Sequence, residues 1–311
     1  MYLFIVNRIS GNGKGIKTWR KIEPLLQNKQ VHYKVEFSDS PSHAALLVRQ
    51  YMTEHDKMKA FVIVGGDGTI QSVAHEIAES NIPLGIIPAG SGNDLARGLH
   101  IPLNAKKALE YLLTGTTKKI DIARIGSKCY TTVVGIGIDG KVAQTVNLSR
   151  YKKWFNHLKM GNLSYIFSFI QVLLRYKPAN VHITVDGKEM IFSDVWLIAV
   201  ANLPNYAGGM KICPEACYTD GFFHICIVQG TSRWTLMKIF PDVFRGNHIF
   251  HPAVTTLRGR KVEVYTESPM IAHGDGEMIG ETPLEVTVYQ DAIHVIYNPQ
   301  LAEELQPCHQ L

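Results

Sequence analysis

What most restricts the fold of this chain is the way its first 125 residues alternate. Short apolar stretches at Leu3–Val6, Tyr33–Phe37, Phe61–Val64 and Leu84–Ile87 are followed by helical patterns at about 16–27, 41–54, 69–79 and 104–113. Strands separated by helices pair through crossovers, so this order dictates a parallel sheet covered on both faces. Ser40-Pro41 marks one helix start, a capping hydroxyl followed by a first-turn proline. From about residue 126 the texture changes. "HITVDGKEMIF", "DVWLIAVA", "FFHICIVQ", "KVEVYTE" and "LEVTVYQDAIHVIY" are strands of period two or of continuous apolar character, and Asp186-Gly187 is a hairpin signal. The expected architecture is α/β. Residues 1–125 form a parallel-sheet domain and 126–297 a mainly antiparallel β domain, interrupted by helical segments at 150–176 and 234–245. The tail at about 298–311 is a candidate to return to the first domain.

In an open parallel sheet, ligands bind beyond the carboxyl ends of the strands. Three glycine-bearing loops fall at such ends: "NRISGNGKG", "GGDGT" and "PAGSGNDLARG". Glycine lets backbone N–H groups approach phosphate oxygens, and a helix N-terminus adds partial positive charge. Tight turns explain single glycines, but not the hydroxyls of Ser10, Thr69 and Ser91 beside them. Together the three loops read as a polyphosphate cradle. "GNGKG" lacks the spacing and following hydroxyl of the common P-loop. Gly135, Gly137 and Gly140 spell a dinucleotide fingerprint, but no acidic residue follows at the ribose distance, so that reading is set aside. Asp67, at the tip of the central loop, is the candidate to organise magnesium through water, with a buried structural aspartate as the alternative.

Charge and cysteine usage narrow the partners. The net charge is +5, yet no Asp or Glu occurs from Gly140 to Val185, a stretch holding Lys141, Arg150, Lys152, Lys153, Lys159, Arg175 and Lys177. The same block contains "WFNHLKMGNLSYIFSFIQVLLRY". Basic and bulky apolar residues together suit an anionic membrane surface; a core-packed helix with basic ends is the plainer alternative. No nucleic-acid-binding motif accompanies these cations, so no nucleic-acid partner is expected. Five scattered cysteines form no disulfide framework, and "CPEAC" has no second Cys/His pair to complete a zinc site. Val195–Ala201, the longest apolar run, is too short to span a bilayer, and no secretion signal is visible. A cytoplasmic, peripherally membrane-associated protein is expected.

"VVGGDGT" followed by "IPAGSGNDLARGL" resembles the diacylglycerol kinase catalytic domain shared by lipid kinases, and the resemblance extends over nearly the whole chain. "NRISGNGKG", "GIGIDG", "PEACYTDGFFHI" and "HGDGE" match further family motifs in the family's order, closest to the soluble bacterial enzymes. The resemblance implies an ATP-binding α/β domain, a β-sandwich domain with a lipid-facing helical insertion, and an active site in the cleft between them. It assigns nucleotide contacts to Asn7, Arg8, Ile9, Ser10 and Gly11, to Ser38, and to Gly66, Asp67, Gly68, Thr69, Ile70, Gln71 and Ser72. Ser91 and Asn93 complete that set. Arg8 replaces the usual proline, Ser91 a common threonine, and Leu95 the usual phenylalanine.

The resemblance also assigns the catalytic base to Glu277, with Asp275 as its polar partner. Carboxylates two apart in a strand would share a face and could act on one hydroxyl and one metal. Read without the family, "HGDGE" is equally a hairpin turn with solvated acids. Asp220 falls on a second magnesium position, completed by the backbone carbonyls of Cys217 and Phe222. Cysteine there replaces an acid found in some relatives, and a tight turn before a strand is the alternative reading of Asp220. The implied reaction is phosphoryl transfer from Mg-ATP to diacylglycerol at an anionic membrane surface, giving phosphatidate. Alternatives are another lipid alcohol (a sphingoid base, monoacylglycerol or polyprenol), an NAD kinase, and an inactive lipid-binding regulator. A homodimer is left open.

Overall fold

The computed structural model describes residues 1–53, 58–148 and 161–299. The chain divides into two units, Met1–Ile120 with the chain from Asp291 onward, and Asp121–Gln290. In the first unit, β1 (Tyr2–Asn7) lies parallel to β2 (Tyr33–Ser38) and β3 (Ala60–Gly65), and β3 lies parallel to β4 (Leu84–Pro88). Every residue of β1 and β3 is buried, as expected for central strands covered on both faces. The register sets Asn7 beside Ser38 and Gly65 beside Pro88, so the carboxyl ends of all four strands come out together. The helices are α1 (Ser10–Asn28), α2 (Pro41–Tyr51), α3 (Asp67–Ile77), α4 (Asp94–Gly98) and α5 (Ala105–Thr114). α2 starts where the sequence marked it, with Ser40 Oγ accepting from His43 N at 3.0 Å. The buried Trp19 ring of α1 packs 5.3 Å from Phe4 of β1, fixing the helix on the sheet.

The second unit is antiparallel. It takes the end of β5 (Thr116–Ile125), then β6 (Lys128–Tyr130), β7 (Val133–Gly137), β8 (Ala179–Val185) and β9 (Lys188–Ala201). A two-residue ladder follows, β10 (Asn205–Tyr206) and β11 (Met210–Lys211), then β12 (Phe223–Gln229), β13 (Val254–Gly259), β14 (Lys261–Thr266), β15 (Ile271–Gly274) and β16 (Glu277–Glu281). β17 (Leu284–Tyr297) begins in this unit, pairing with β14, and ends in the first, where Val295 lies beside Leu84. The long β9 pairs with β8 through its first half, and its second half lies between β7 and β12. Asp186 and Gly187 both carry positive φ, the two-residue turn their sequence signals. Alternation along β9 and β12 produces two cores. Val195, Ile198, Val200, Phe223, Ile225 and Ile227 face one cluster, shared with β8 and β14. Leu197, Ala199, Ala201, Cys226 and Val228 face the other, covered by α6 (Ile138–Leu148), α7 (Gly161–Leu173) and α8 (Arg233–Val243).

The α/β class, with a parallel N-terminal sheet and an antiparallel β-rich second unit, is therefore as expected. Of the helical block expected at 150–176, residues 150–160 lie outside the described residues, as does the tail from residue 300. Among the described residues, no helix is long and apolar enough to cross a membrane.

Candidate active site

At the carboxyl ends of the first sheet, the three loops lock onto one another. Asp67, the first residue of α3, accepts the backbone N–H groups of Asn93 and Asp94, each at 2.7 Å. One carboxylate thus ties the central loop to the next. The Gly66 and Gly90 backbones meet directly: a Cβ on Gly66 would fall 2.8 Å from Gly90 Cα, and one on Gly90 2.5 Å from Gly66 Cα. Only residues without a Cβ allow that approach. Asn93 closes its own turn, accepting from Gly90 N at 2.8 Å with its backbone in the left-handed region. The first loop joins through Ser10 Oγ, which donates to Ala89 O at 3.3 Å, and through the buried Asn7 Nδ2, which donates to Thr69 Oγ1 at 2.8 Å.

The predicted nucleotide contacts Asn7, Ser10, Gly66, Asp67, Thr69 and Asn93 are therefore brought into one network. Ser72 instead caps its own helix turn, donating to Gly68 O at 2.9 Å, while Ile70 is buried in the core and Ser91 is exposed. Ile9 N–H donates to Asn7 Oδ1, and Gly11 sits with positive φ against Ala89. Arg8, replacing proline, forms a two-pronged ion pair with Asp39 at 2.9 and 2.6 Å. That guanidinium holds the exposed Asp39 carboxyl below its ordinary value. Ser38 Oγ is buried beside Asn7 with no hydrogen-bond partner among the described residues, a hydroxyl still free to be satisfied.

These residues fit a magnesium polyphosphate. A Cβ on Gly92 would lie 2.8 Å from Asp67 Oδ2 and 3.1 Å from Asp94 Oδ2, so the two carboxylates flank one backbone position. Magnesium is bound through one or two carboxylates and several waters, which matches that donor set. No role was expected for Asp94, although its signal, an acid opening a helix beside glycines, is present in the sequence.

In the second unit, β15 and β16 form a hairpin with Asp275 and Gly276 as its turn, both at positive φ. Asp275 is therefore not a strand residue, and the period-two argument placing it on one face with Glu277 does not apply. Its carboxylate is committed elsewhere. Oδ1 accepts from Thr132 N (2.8 Å), Thr132 Oγ1 (2.6 Å) and Val133 N (3.3 Å); Oδ2 accepts from Thr131 N (2.7 Å) and Thr131 Oγ1 (3.0 Å). Asp275 holds the strap leading into β7. Glu277, the first residue of β16, is exposed. Burial, reinforced by the Asp275 charge, pushes the nearby Tyr130 phenol up to about 12.

Asp220, Cys217 and Phe222 do not fit a second magnesium site. Asp220 Oδ2 is paired with Arg258 at 2.8 Å and Oδ1 accepts Phe222 N–H at 3.0 Å. The Phe222 ring has the guanidiniums of Arg258 and Arg260 at 4.1 and 4.6 Å from its centre. The Asp220 carboxylate is thus already paired with a cation, and no cluster of three metal-ligating side chains occurs among the described residues. Arg258 follows Asp220 by 38 residues, so spacing gave no sign of it. Asp121, also unforeseen, is buried in β5 and accepts Gly221 N–H at 2.8 Å; a lone acid in the apolar run "KIDIARI" was its signal. Burial raises the Cys213 thiol well above its ordinary value and Cys226 to about 12.

Residues 1–125 match the family model of the diacylglycerol kinase catalytic domain, and residues 132–297 that of the YegS C-terminal NAD kinase beta sandwich-like domain. A diacylglycerol kinase of Mycobacterium tuberculosis H37Rv is 32% identical over 301 residues, 94% of this chain and 93% of its own. One of Bacillus subtilis is 29% identical over 248 residues, 78% of this chain and 79% of its own. A solved diacylglycerol kinase from Bacillus anthracis superposes with a TM-score of 0.73 at 21% identity, covering 96% of this chain and 97% of the other. At that identity the likeness is one of fold.

Proposed function

The chain belongs to the diacylglycerol kinase family of lipid kinases, and on that premise we propose that it transfers the γ-phosphoryl group of Mg-ATP to diacylglycerol, giving phosphatidate. The observation that carries the reading is the joining of three glycine loops at the sheet's carboxyl edge, two by the Asp67 carboxylate and the first by Asn7 and Ser10. Phosphoryl transfer demands positioning and charge neutralisation more than covalent chemistry. Backbone N–H groups of the loops would hold the phosphates, and Asp67 and Asp94 would hold magnesium through water. That ion, when bound, neutralises charge on the phosphate oxygens. Glu277 takes the proton of the acceptor hydroxyl as its oxygen bonds to the γ-phosphorus; the bond to the β-phosphate oxygen breaks and ADP leaves.

Two features of the second unit favour a lipid acceptor over the soluble ribose of NAD. A cavity of about 290 Å³ is lined by Val142, Phe169, Trp196, Met210, Leu236 and Phe240, apolar walls suited to an acyl chain. On α7, Phe167 (52% exposed), Ile170 (42%) and Leu174 (58%), just past its end, recur at helical spacing. Lys141, Arg175 and Lys177 line a neighbouring hollow with no acidic side chain. An exposed apolar stripe beside unbalanced cations suits peripheral docking on an anionic cytoplasmic leaflet.

The test is transfer of labelled γ-phosphate in mixed micelles with magnesium, offering diacylglycerol, monoacylglycerol, a sphingoid base, a polyprenol and NAD in parallel. Label on diacylglycerol supports the proposal. Label on another lipid keeps the kinase and replaces its acceptor, and label on NAD discards the lipid reading.

A further inference from the structure

A buried histidine and a partly buried aspartate lie behind the hairpin that carries Glu277, and neither belongs to the cradle. His273, in β15, is 3% exposed, and Asp139 is the second residue of α6. His273 Nε2 stands 3.0 Å from Asp139 Oδ2. Neither atom has a hydrogen-bond partner elsewhere among the described residues, so the distance identifies them as a pair, with the buried Tyr206 hydroxyl also against the Asp139 carboxylate. Room for it is made by Gly135 of β7: a Cβ there would collide with both Asp139 Oδ2 and His273 Nε2. Gly140 allows the start of α6 to press against Ile271 of β15, fixing helix and strand together. The glycines of "GIGIDG", which fit no dinucleotide, thus have a structural use.

The other ring nitrogen faces the turn. His273 Nδ1 accepts the backbone N–H of Gly276 at 3.2 Å. A neutral imidazole that accepts at Nδ1 must carry its proton on Nε2, the atom directed at Asp139. Asp139 therefore selects the tautomer that can hold Gly276, and Glu277 is the next residue. On the other side the turn is tied by Asp275 to Thr131, Thr132 and Val133. We propose that Asp139 and His273 are positioning residues which fix the aim of the Glu277 carboxylate through Gly276. This inference rests on the reading of Glu277 as the base.

Three substitutions separate the parts. His273→Gln keeps a nitrogen near Asp139 but removes the acceptor for Gly276, whereas His273→Asn keeps an acceptor near Nδ1 and gives up Asp139. Asp139→Asn can turn an N–H₂ group toward Nε2, driving the ring proton to Nδ1 against the Gly276 N–H. A misplacement of about 1 Å costs on the order of a hundredfold in rate. The expected result is a loss of kcat of roughly tenfold to a hundredfold in His273→Gln and Asp139→Asn, with KM for ATP unchanged and His273→Asn closer to wild type. The double variant His273→Gln/Asp139→Asn should lose little more than the worse single one, because the residues act in series.

Nitrogen-15 spectra of the full chain provide a readout apart from activity. Wild type should show His273 protonated at Nε2 and bare at Nδ1, with the Gly276 amide slow to exchange; Asp139→Asn should reverse the tautomer and speed that exchange. Wild type protonated at Nδ1, or full kcat in His273→Gln and Asp139→Asn while Glu277→Gln is inactive, overturns the inference and leaves the kinase reading standing. Full activity in Glu277→Gln overturns the reading itself.

Discussion

Replacing Asp275 by asparagine separates support of the hairpin from chemistry. The carboxylate accepts three backbone N–H groups and two hydroxyls, shared between its oxygens. Asparagine turns one oxygen into a donor. The less costly orientation places that N–H₂ group where Oδ2 was, facing Thr131 N–H, because the Oδ1 place would confront two backbone donors. Thr131 Oγ1 can rotate to accept, so one backbone N–H loses its partner at about 1–3 kcal/mol. The hydrogen bonds that remain lose their charge assistance, for roughly 1 kcal/mol more. A total of about 2–4 kcal/mol, at about 2–4 °C per kcal/mol for a unit of this size, lowers the melting temperature of the second unit by about 5–15 °C. Thermal unfolding followed by circular dichroism measures it. Thr131→Val, which removes only a hydroxyl, should cost about 1 kcal/mol. If Asp275→Asn melted within about 2 °C of wild type, the carboxylate would not be holding the strap, and a part in the reaction would become its better explanation.

Gly66→Ala and Gly90→Ala each drive a methyl group into facing backbone, 2.8 and 2.5 Å away, so overpacking of about 1–3 kcal/mol should open the cradle; calorimetric titration with Mg-ATP should show affinity at least about tenfold weaker, and unchanged affinity would refute the close approach. Burial pushes the His248 imidazole below its ordinary value, against the opposing pull of the Ile212 carbonyl and Asp242. A depressed folded value means its stabilisation is complete above about pH 6.5 and is lost as pH falls further, so denaturant midpoints should drop from pH 7 to 5 and His248→Asn should flatten part of that slope. Replacing Phe167 and Leu174 together by aspartate should weaken sedimentation with anionic vesicles by at least about tenfold while leaving the melting temperature near wild type; unaltered sedimentation would move the membrane contact elsewhere.

The parallel sheet, its edge of glycine loops and the Asp186-Gly187 hairpin were legible because each is encoded over a few consecutive residues. Asp67, Asn7 and Thr69 were identifiable as site residues, but not as a mutual lock, since Asn7 and Thr69 are 62 residues apart. Asp275 was misplaced because an aspartate followed by glycine can mean strand or turn, and the positive φ at 275 and 276 decides for the turn. Arg258 on Asp220 and Asp139 on His273 are pairings made only by tertiary packing, so no local pattern could show them.

In the proposed reaction Glu277 activates a lipid hydroxyl toward Mg-ATP. The most direct measurement is single-turnover transfer of labelled γ-phosphate to diacylglycerol, with ATP binding measured in parallel, in wild type and Glu277→Gln. Labelled phosphatidate is expected from wild type, with a loss of at least about a hundredfold in the transfer step of Glu277→Gln and equal ATP affinity in both. Transfer at the wild-type rate by Glu277→Gln, or label appearing only on a water-soluble acceptor, would contradict it.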